Sequence, residues 1–246
     1  MFYIRAFRAI DEVETCVEYI KGHIQVLKDY GIENVTSNND TWTKNPNMYC
    51  FIARDESGEL VGGIRIQVAD GIFPLPVENA IGKMDAGIHL LVKKYANNGG
   101  VGELCGLWNS KKVKGIGISI VLIRAALSII NQLKFHTVTG ICAEYSLEMF
   151  QNVGFVINTD LGNSGKFIYP NENYIARVVG ILNGTTLETA LLYDRERMLS
   201  LRKEPIQKHT EKGLKGDFLV NYNLIIKNVT PIILPELYIL PKLLNR

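Results

Sequence analysis

With 246 residues, 47% of them apolar and 21% charged, the chain has the composition of a globular protein long enough to bury a substantial core. A formal net charge of +2, with no basic run interleaved with aromatics, gives no signal for nucleic acid. The four cysteines, Cys16, Cys50, Cys105 and Cys142, are scattered and form no metal-spaced pair, so they read as reduced core thiols of a cytoplasmic protein without a bound metal.

Residues 2–10 alternate and are rich in aromatic and branched side chains, which predicts a first strand rather than a signal peptide. Asp11, with Glu14 three residues later, is placed to cap a helix that runs to about Tyr30, where Gly31 stops it. The polar stretch 32–47 reads as a loop. It carries Trp42, which either folds back onto the core or acts as a lid over a substrate site. Residues 48–54 and 59–68 form a hairpin around 55–58. Strand alternation turns Arg65 away from Ile64 and Ile66, toward either a cleft or solvent. A turn-rich apolar segment at 71–76 precedes a helical pattern over 77–96, with Ile81, Met84, Ile88, Leu91 and Val92 on one side.

The stretch 101–155 reads as strand, glycine turn, helix, strand, helix. The run 101–108 is apolar and bounded by glycines, as in a buried strand. The turn 109–117 leads into apolar residues at helical spacing over 118–133, a second strand at 136–143 and a short helix at 145–153 ended by Gly154. A strand feeding a glycine turn and a helix makes an anion site, because free backbone N–H groups at the helix start point at the ligand. Lys112 and Lys114 add cations to those donors. The apolar helix at 116–130 contains Arg124 and is too short to span a bilayer. Downstream, 167–170 and 174–182 supply further strands, 186–202 an amphipathic helix, 204–217 a polar linker, and 218–226 a strand or docking arm. The apolar tail 229–244 carries Pro231, Pro235 and Pro241, which forbid a regular helix or central strand. It is expected to pack on the domain or on a second subunit, with acyl-chain contact as the alternative.

The sequence Lys112-Val-Lys-Gly115-Ile-Gly117 resembles the pyrophosphate turn of the GCN5-related N-acetyltransferases, whose pattern is Arg or Gln, two residues, Gly, one residue, Gly or Ala. Phe150-Gln-Asn-Val-Gly154-Phe155 resembles their second signature, an aromatic four residues before Gly-Phe. The resemblance implies a mixed α/β acyl-CoA N-acyltransferase domain over 1–182, with an insertion at 70–100 and a C-terminal extension over 183–246. The insertion, between a strand arginine (here Arg65) and a strand glutamate (here Glu103), looks like that of the acyl-homoserine-lactone and N-acyl amino acid synthases. The lactone synthases carry Arg three residues after that glutamate, where this chain has Gly106.

What the resemblance implies for chemistry is acyl transfer from a thioester to an amine. Glu103 is the general-base candidate, because burial raises a carboxyl toward neutrality; the alternative is an ordinary ion pair. The donor, acetyl-CoA or another acyl-CoA, is expected on Leu107, Trp108, Asn109, Lys112, Val113, Lys114, Gly115, Ile116, Gly117 and Phe150. Arg65 and Trp42 are expected on the acceptor side. The family's leaving-group tyrosine is replaced by Phe150 and its asparagine by Ala143, and Tyr145 is expected too far around the helix to substitute. Cys105 and Cys142 lack an activating histidine and read as core thiols. Three functions follow: acetyl or acyl transfer from acyl-CoA; long-chain N-acyl amino acid or lactone synthesis using acyl carrier protein as donor and partner; or a degenerate acyl-CoA-binding sensor. A homodimer is a further expectation.

Overall fold

The computed structural model describes residues 1–32, 39–227 and 229. Its elements in chain order are β1 (Phe2–Arg8), α1 (Val13–Asp29), β2 (Met48–Asp55), β3 (Leu60–Val68), α2 (Pro76–Ile81), α3 (Gly87–Asn97), β4 (Val101–Asn109), α4 (Ile118–Ser128), α5 (Ile130–Leu133), β5 (Thr137–Ala143), α6 (Leu147–Asn152), β6 (Val156–Ile157), β7 (Lys166–Ile168), β8 (Ile175–Ile181), α7 (Leu192–Lys203), β9 (Ile206–Glu211) and β10 (Phe218–Asn223). The strands form one sheet in the order β6-β8-β5-β4-β3-β2-β1-β10-β9, with β7 paired to β8. β4–β5 and β1–β10 are parallel; every other pairing is antiparallel.

Helices cover both faces of the sheet, and this explains why β3 is buried along its whole length. On one face Phe51, Ile64 and Ile66 pack with Val121, Leu122 and Ala125 of α4. On the other, Met48, Cys50 and Ile52 pack with Cys16, Tyr19 and Trp42. The successive residues of β2 thus alternate between two cores, as a period of two requires. Each fully buried apolar side chain of α4, such as Val121 and Leu122 at 0% exposure, contributes about 1.5–3 kcal/mol relative to an exposed one. α2 and α3 bury a third cluster, including Leu75, Ile81 and Ile88, against Val101 and Val178.

Several local expectations are corrected. Asp11 does not cap α1: Arg8 holds its carboxylate at 3.0–3.1 Å, and Arg5 holds Glu12 at 2.6 Å, so neighbouring strand arginines outcompete the helix N–H groups. The helical pattern over 77–96 is two helices, because Asp85 accepts the Gly87 N–H at 2.8 Å and restarts the helix there. Its second oxygen accepts the Gly162 N–H at 2.7 Å. α7 begins at Leu192 rather than 186; Leu187 is buried with φ +51, a left-handed turn that no helix contains. The expected polar linker 204–217 holds β9, whose inward residue Glu211 is fully buried.

Glu211 anchors a buried network. Arg124 donates to Asp194 at 2.7 Å and to Glu211 at 3.0 Å; Arg197 and the Tyr222 hydroxyl donate to Glu211 at 2.8 and 2.6 Å. Two cations meet two carboxylates, so the network is neutral, and it ties α4 and α7 to β9 and β10. The expected tail beyond 229 lies outside the described residues, as does the 33–38 part of the expected loop.

Candidate active site

The site follows from one interruption in the sheet. Parallel pairing of β4 with β5 runs from Val101↔Thr137 to Leu104↔Gly140 and stops, although β4 continues to Asn109 and β5 to Ala143. On its other edge β4 shifts register against β3 between Arg65↔Cys105 and Gly63↔Trp108, so β4 carries one residue more than β3. That extra residue is a bulge, which bends the strand away from β5. Gly106 makes it possible, with φ +62. A Cβ there would lie 2.8 Å from Nε and Nη2 of Arg65, so no side chain fits. From α1, the Tyr19 hydroxyl donates to the Gly106 carbonyl and pins the bulge.

The wedge between β4 and β5 is a cavity of about 370 Å³. Glu103, Leu107, Trp108, Asn109 and Phe150 line it, as do His23 and Leu27 of α1 and, at the turn end, Lys114, Gly115 and Ser119. Glu103 is fully buried. Its Oε2 accepts the Val77 N–H at 2.7 Å, while Oε1 is buried with no hydrogen-bond partner among the described residues. Burial pushes its carboxyl up to about 8; the Val77 N–H and Arg65 oppose this, and Glu78 reinforces it. The segment after β3 therefore positions this carboxyl: Pro76 opens α2, and the next N–H grips Glu103.

The turn departs from expectation. Lys112 does not line the cavity. Its ammonium bonds Asp55 at 2.5 Å and Glu59 at 2.7 Å, on the β2–β3 turn. Val113 is buried in the core, and Ile116 and Gly117 also stand outside the lining. Lys114 and Gly115 remain, beside the N-terminus of α4, where the first N–H groups lack intrahelical acceptors. Arg65 and Trp42 come together in a neighbouring cavity of about 180 Å³ with Asn45 and Gln67. The Arg65 guanidinium stacks on the Trp42 ring at 4.1 Å, and Trp42 is 7% exposed, so it is a packed wall rather than a lid. Pro76 borders both cavities.

Tyr145 lies in the turn before α6, not on that helix, and does line the main cavity. Cys105 and Cys142 line it too, but burial pushes both thiols up to about 12, which leaves them protonated. His23 went unanticipated. It is 6% exposed, and burial, helped by Arg65, pulls its imidazole down to about 3, so the ring is neutral. The four-residue step from Tyr19 to His23, on the face that carries Cys16, is the signal that marks it as inward-facing. Among the described residues, no helix is long and apolar enough to cross a membrane.

No protein-family model and no curated protein sequence matches the chain. Solved structures do. FeeM, an N-acyl amino acid synthase from uncultured soil microbes, superposes with a TM-score of 0.60 at 14% identity, covering 80% of this chain and 98% of that one. BjaI, a CoA-dependent acyl-homoserine lactone synthase determined with SAM and isopentyl-CoA, gives 0.53 at 14% identity, covering 80% and 90%. Escherichia coli ElaA gives 0.52 at 10% identity, covering 74% and 99%. At such identities the likeness is one of fold. Over 80% of its length the chain shares the fold of an N-acyl amino acid synthase and of a CoA-dependent acyl-homoserine lactone synthase, the acyl-CoA N-acyltransferase fold.

Proposed function

We propose that the chain is an N-acyltransferase that moves an acyl group from a thioester donor, an acyl-CoA or an acyl carrier protein, to an amine. The observation that carries this is Glu103, a buried carboxyl on the splayed cleft, pushed up to about 8 and with Oε1 unpartnered among the described residues. Such a group becomes a strong base as pH rises toward about 8, and it has a vacant oxygen with which to take a proton. The cleft fits a narrow arm with a phosphate end: Lys114, Gly115 and the start of α4 stand at one end of it and Glu103 further in. The donor supplies an activated carbonyl. Glu103 removes a proton from the amine, directly or through one water; nitrogen then bonds to the carbonyl carbon as the C–S bond breaks. The backbone of Gly106 and Leu107 has no register partner on β3 and is the donor set available to the carbonyl oxygen. Phe150 offers the leaving thiolate only a ring. Tyr145, largely exposed, is a phenol that borders the cavity.

Two finer assignments have their own support. Arg65, buried against Trp42 in the adjoining cavity, favours an amine that carries a carboxylate, such as an amino acid. Apolar walls from Val26, Leu27, Ile141 and Met149 favour an acyl chain longer than acetyl. The test is thiol release from acetyl-, hexanoyl- and decanoyl-CoA with a panel of amino acids and plain amines. Amine-dependent release supports the reading. Release that ignores the amine, or none from any donor including acyl carrier protein, overturns it.

A further inference from the structure

The turn that should hold a phosphate has lost its first cation. Lys112 is bound to Asp55 and Glu59, and Lys111 to Asp29 at 3.2 Å. Another segment stands in its place. The β9–β10 hairpin of the C-terminal extension lies directly on the turn: a Cβ on Gly213 would meet the Ile116 carbonyl at 2.2 Å, and one on Gly117 would meet Phe218 at 3.3 Å. The same hairpin lays Lys215 over Gly115, with its Cε and Nζ 3.2 and 3.8 Å from where a Gly115 Cβ would stand. Among the described residues neither Lys215 nor Lys114 pairs with a carboxylate, whereas Lys212 pairs with Asp217 at 2.7 Å. Two ammonium groups without a carboxylate partner among the described residues therefore stand beside the turn that opens α4, Lys114 in the lining of the cleft and Lys215 over Gly115 outside that lining, and the buried Glu103 oxygen of the same cleft independently awaits a ligand.

We propose that Lys215, from the C-terminal hairpin, is the phosphate-binding cation of the donor site, in the role the turn's Lys112 leaves open. This rests on the thioester-donor reading above. It makes the extension part of the binding site, so that donor recognition depends on residues far from the turn in sequence. The ligand chemistry is a phosphate ester on a pantetheine arm, whether on free CoA or on a carrier protein. Glycine at 115 lets the ammonium and a phosphate approach the same stretch of backbone. Lys114, which lines the cleft, is the second cation.

Titration calorimetry with CoA, 4′-phosphopantetheine and pantetheine separates the possibilities. Lys215→Ala should weaken CoA about three- to ten-fold, flatten its salt dependence and leave pantetheine unchanged. Lys215→Arg should restore most of the affinity, and Lys112→Ala should leave the CoA-to-pantetheine ratio as it is. Lys215 is exposed, so the melting temperature should not move. Equal losses for CoA and phosphopantetheine put Lys215 at the phosphate that a carrier protein shares; a loss for CoA alone puts it at the phosphates of free CoA. If CoA binds and Lys215→Ala is silent, or Lys112→Ala carries the loss, this assignment is overturned while the donor reading stands. If no phosphate-bearing probe binds the wild type, both fall.

Discussion

Replacing Glu103 with glutamine separates catalysis from stability by sign. The carboxyl is held neutral up to about 8, against an ordinary value of 4.5. The folded state therefore binds more protons than the unfolded state between those values. The linked stability is complete below about pH 4.5 and is lost as pH rises toward 8. At about 1.4 kcal/mol per pH unit this reaches on the order of 5 kcal/mol, an upper bound that relaxation and water entry reduce. Glutamine keeps an oxygen for the Val77 N–H and never ionises. Melting curves of wild type and Glu103→Gln without substrate should therefore nearly coincide at pH 5 and diverge by pH 9, with the mutant the more stable by several degrees, at about 2–4 °C per kcal/mol. The same mutant should lose about 10²–10⁴-fold in turnover and keep its donor affinity, and wild-type kcat/KM should rise through an apparent pKa near about 8. A mutant that melts lower than wild type at every pH and still turns over would show Glu103 to be a structural ion-pair member and refute the reasoning.

Gly106→Ala forces a Cβ to 2.8 Å from the Arg65 guanidinium at φ +62 and should cost about 1–3 kcal/mol, read from thermal melts; no change would mean that the bulge relaxes freely. Arg124→Met leaves Asp194 without its buried cation and Glu211 with one fewer, and should cost about 3–5 kcal/mol in urea unfolding. A loss below about 1 kcal/mol would show that water or rearrangement compensates them. Trp42→Ala removes the ring under Arg65 and should cost about 3–5 kcal/mol. If the adjoining cavity holds the acceptor's carboxylate, KM for amino acids should rise more than KM for plain amines, and equal changes would remove Trp42 from acceptor recognition.

What the sequence discloses is what depends on neighbours along the chain. The β2–β3 hairpin, the glycine turn and the order strand, helix, strand are written in period-two and period-3.6 patterns and in glycines with positive φ. The splay is written there too, in Gly106, once the fold is known. What it conceals depends on partners far away. Lys112 reads as a phosphate ligand until Asp55 and Glu59 arrive from the hairpin turn. β9 reads as a linker because its inward residue is a glutamate, which is tolerable only beside Arg124 and Arg197. Likewise 77–96 keeps a single helical pattern although Asp85 divides it, because the apolar stripe resumes in phase after the break.

The parallel pairing of β1 with β10, in which Phe2 stands beside Val220 and Phe218 packs edge-on against Phe2 at 5.7 Å, has a consequence for biosynthesis. β1 is made well before its second neighbour, because every other strand of the sheet is made between it and β10. Until β10 emerges, the nascent chain presents one edge of β1 bare, with apolar side chains on its inward face. Closure of that edge also waits on a contact between strands far apart in sequence, the kind of pairing that slows folding most. The hairpin that lays Lys215 over Gly115 is thus also the piece that covers this edge of β1.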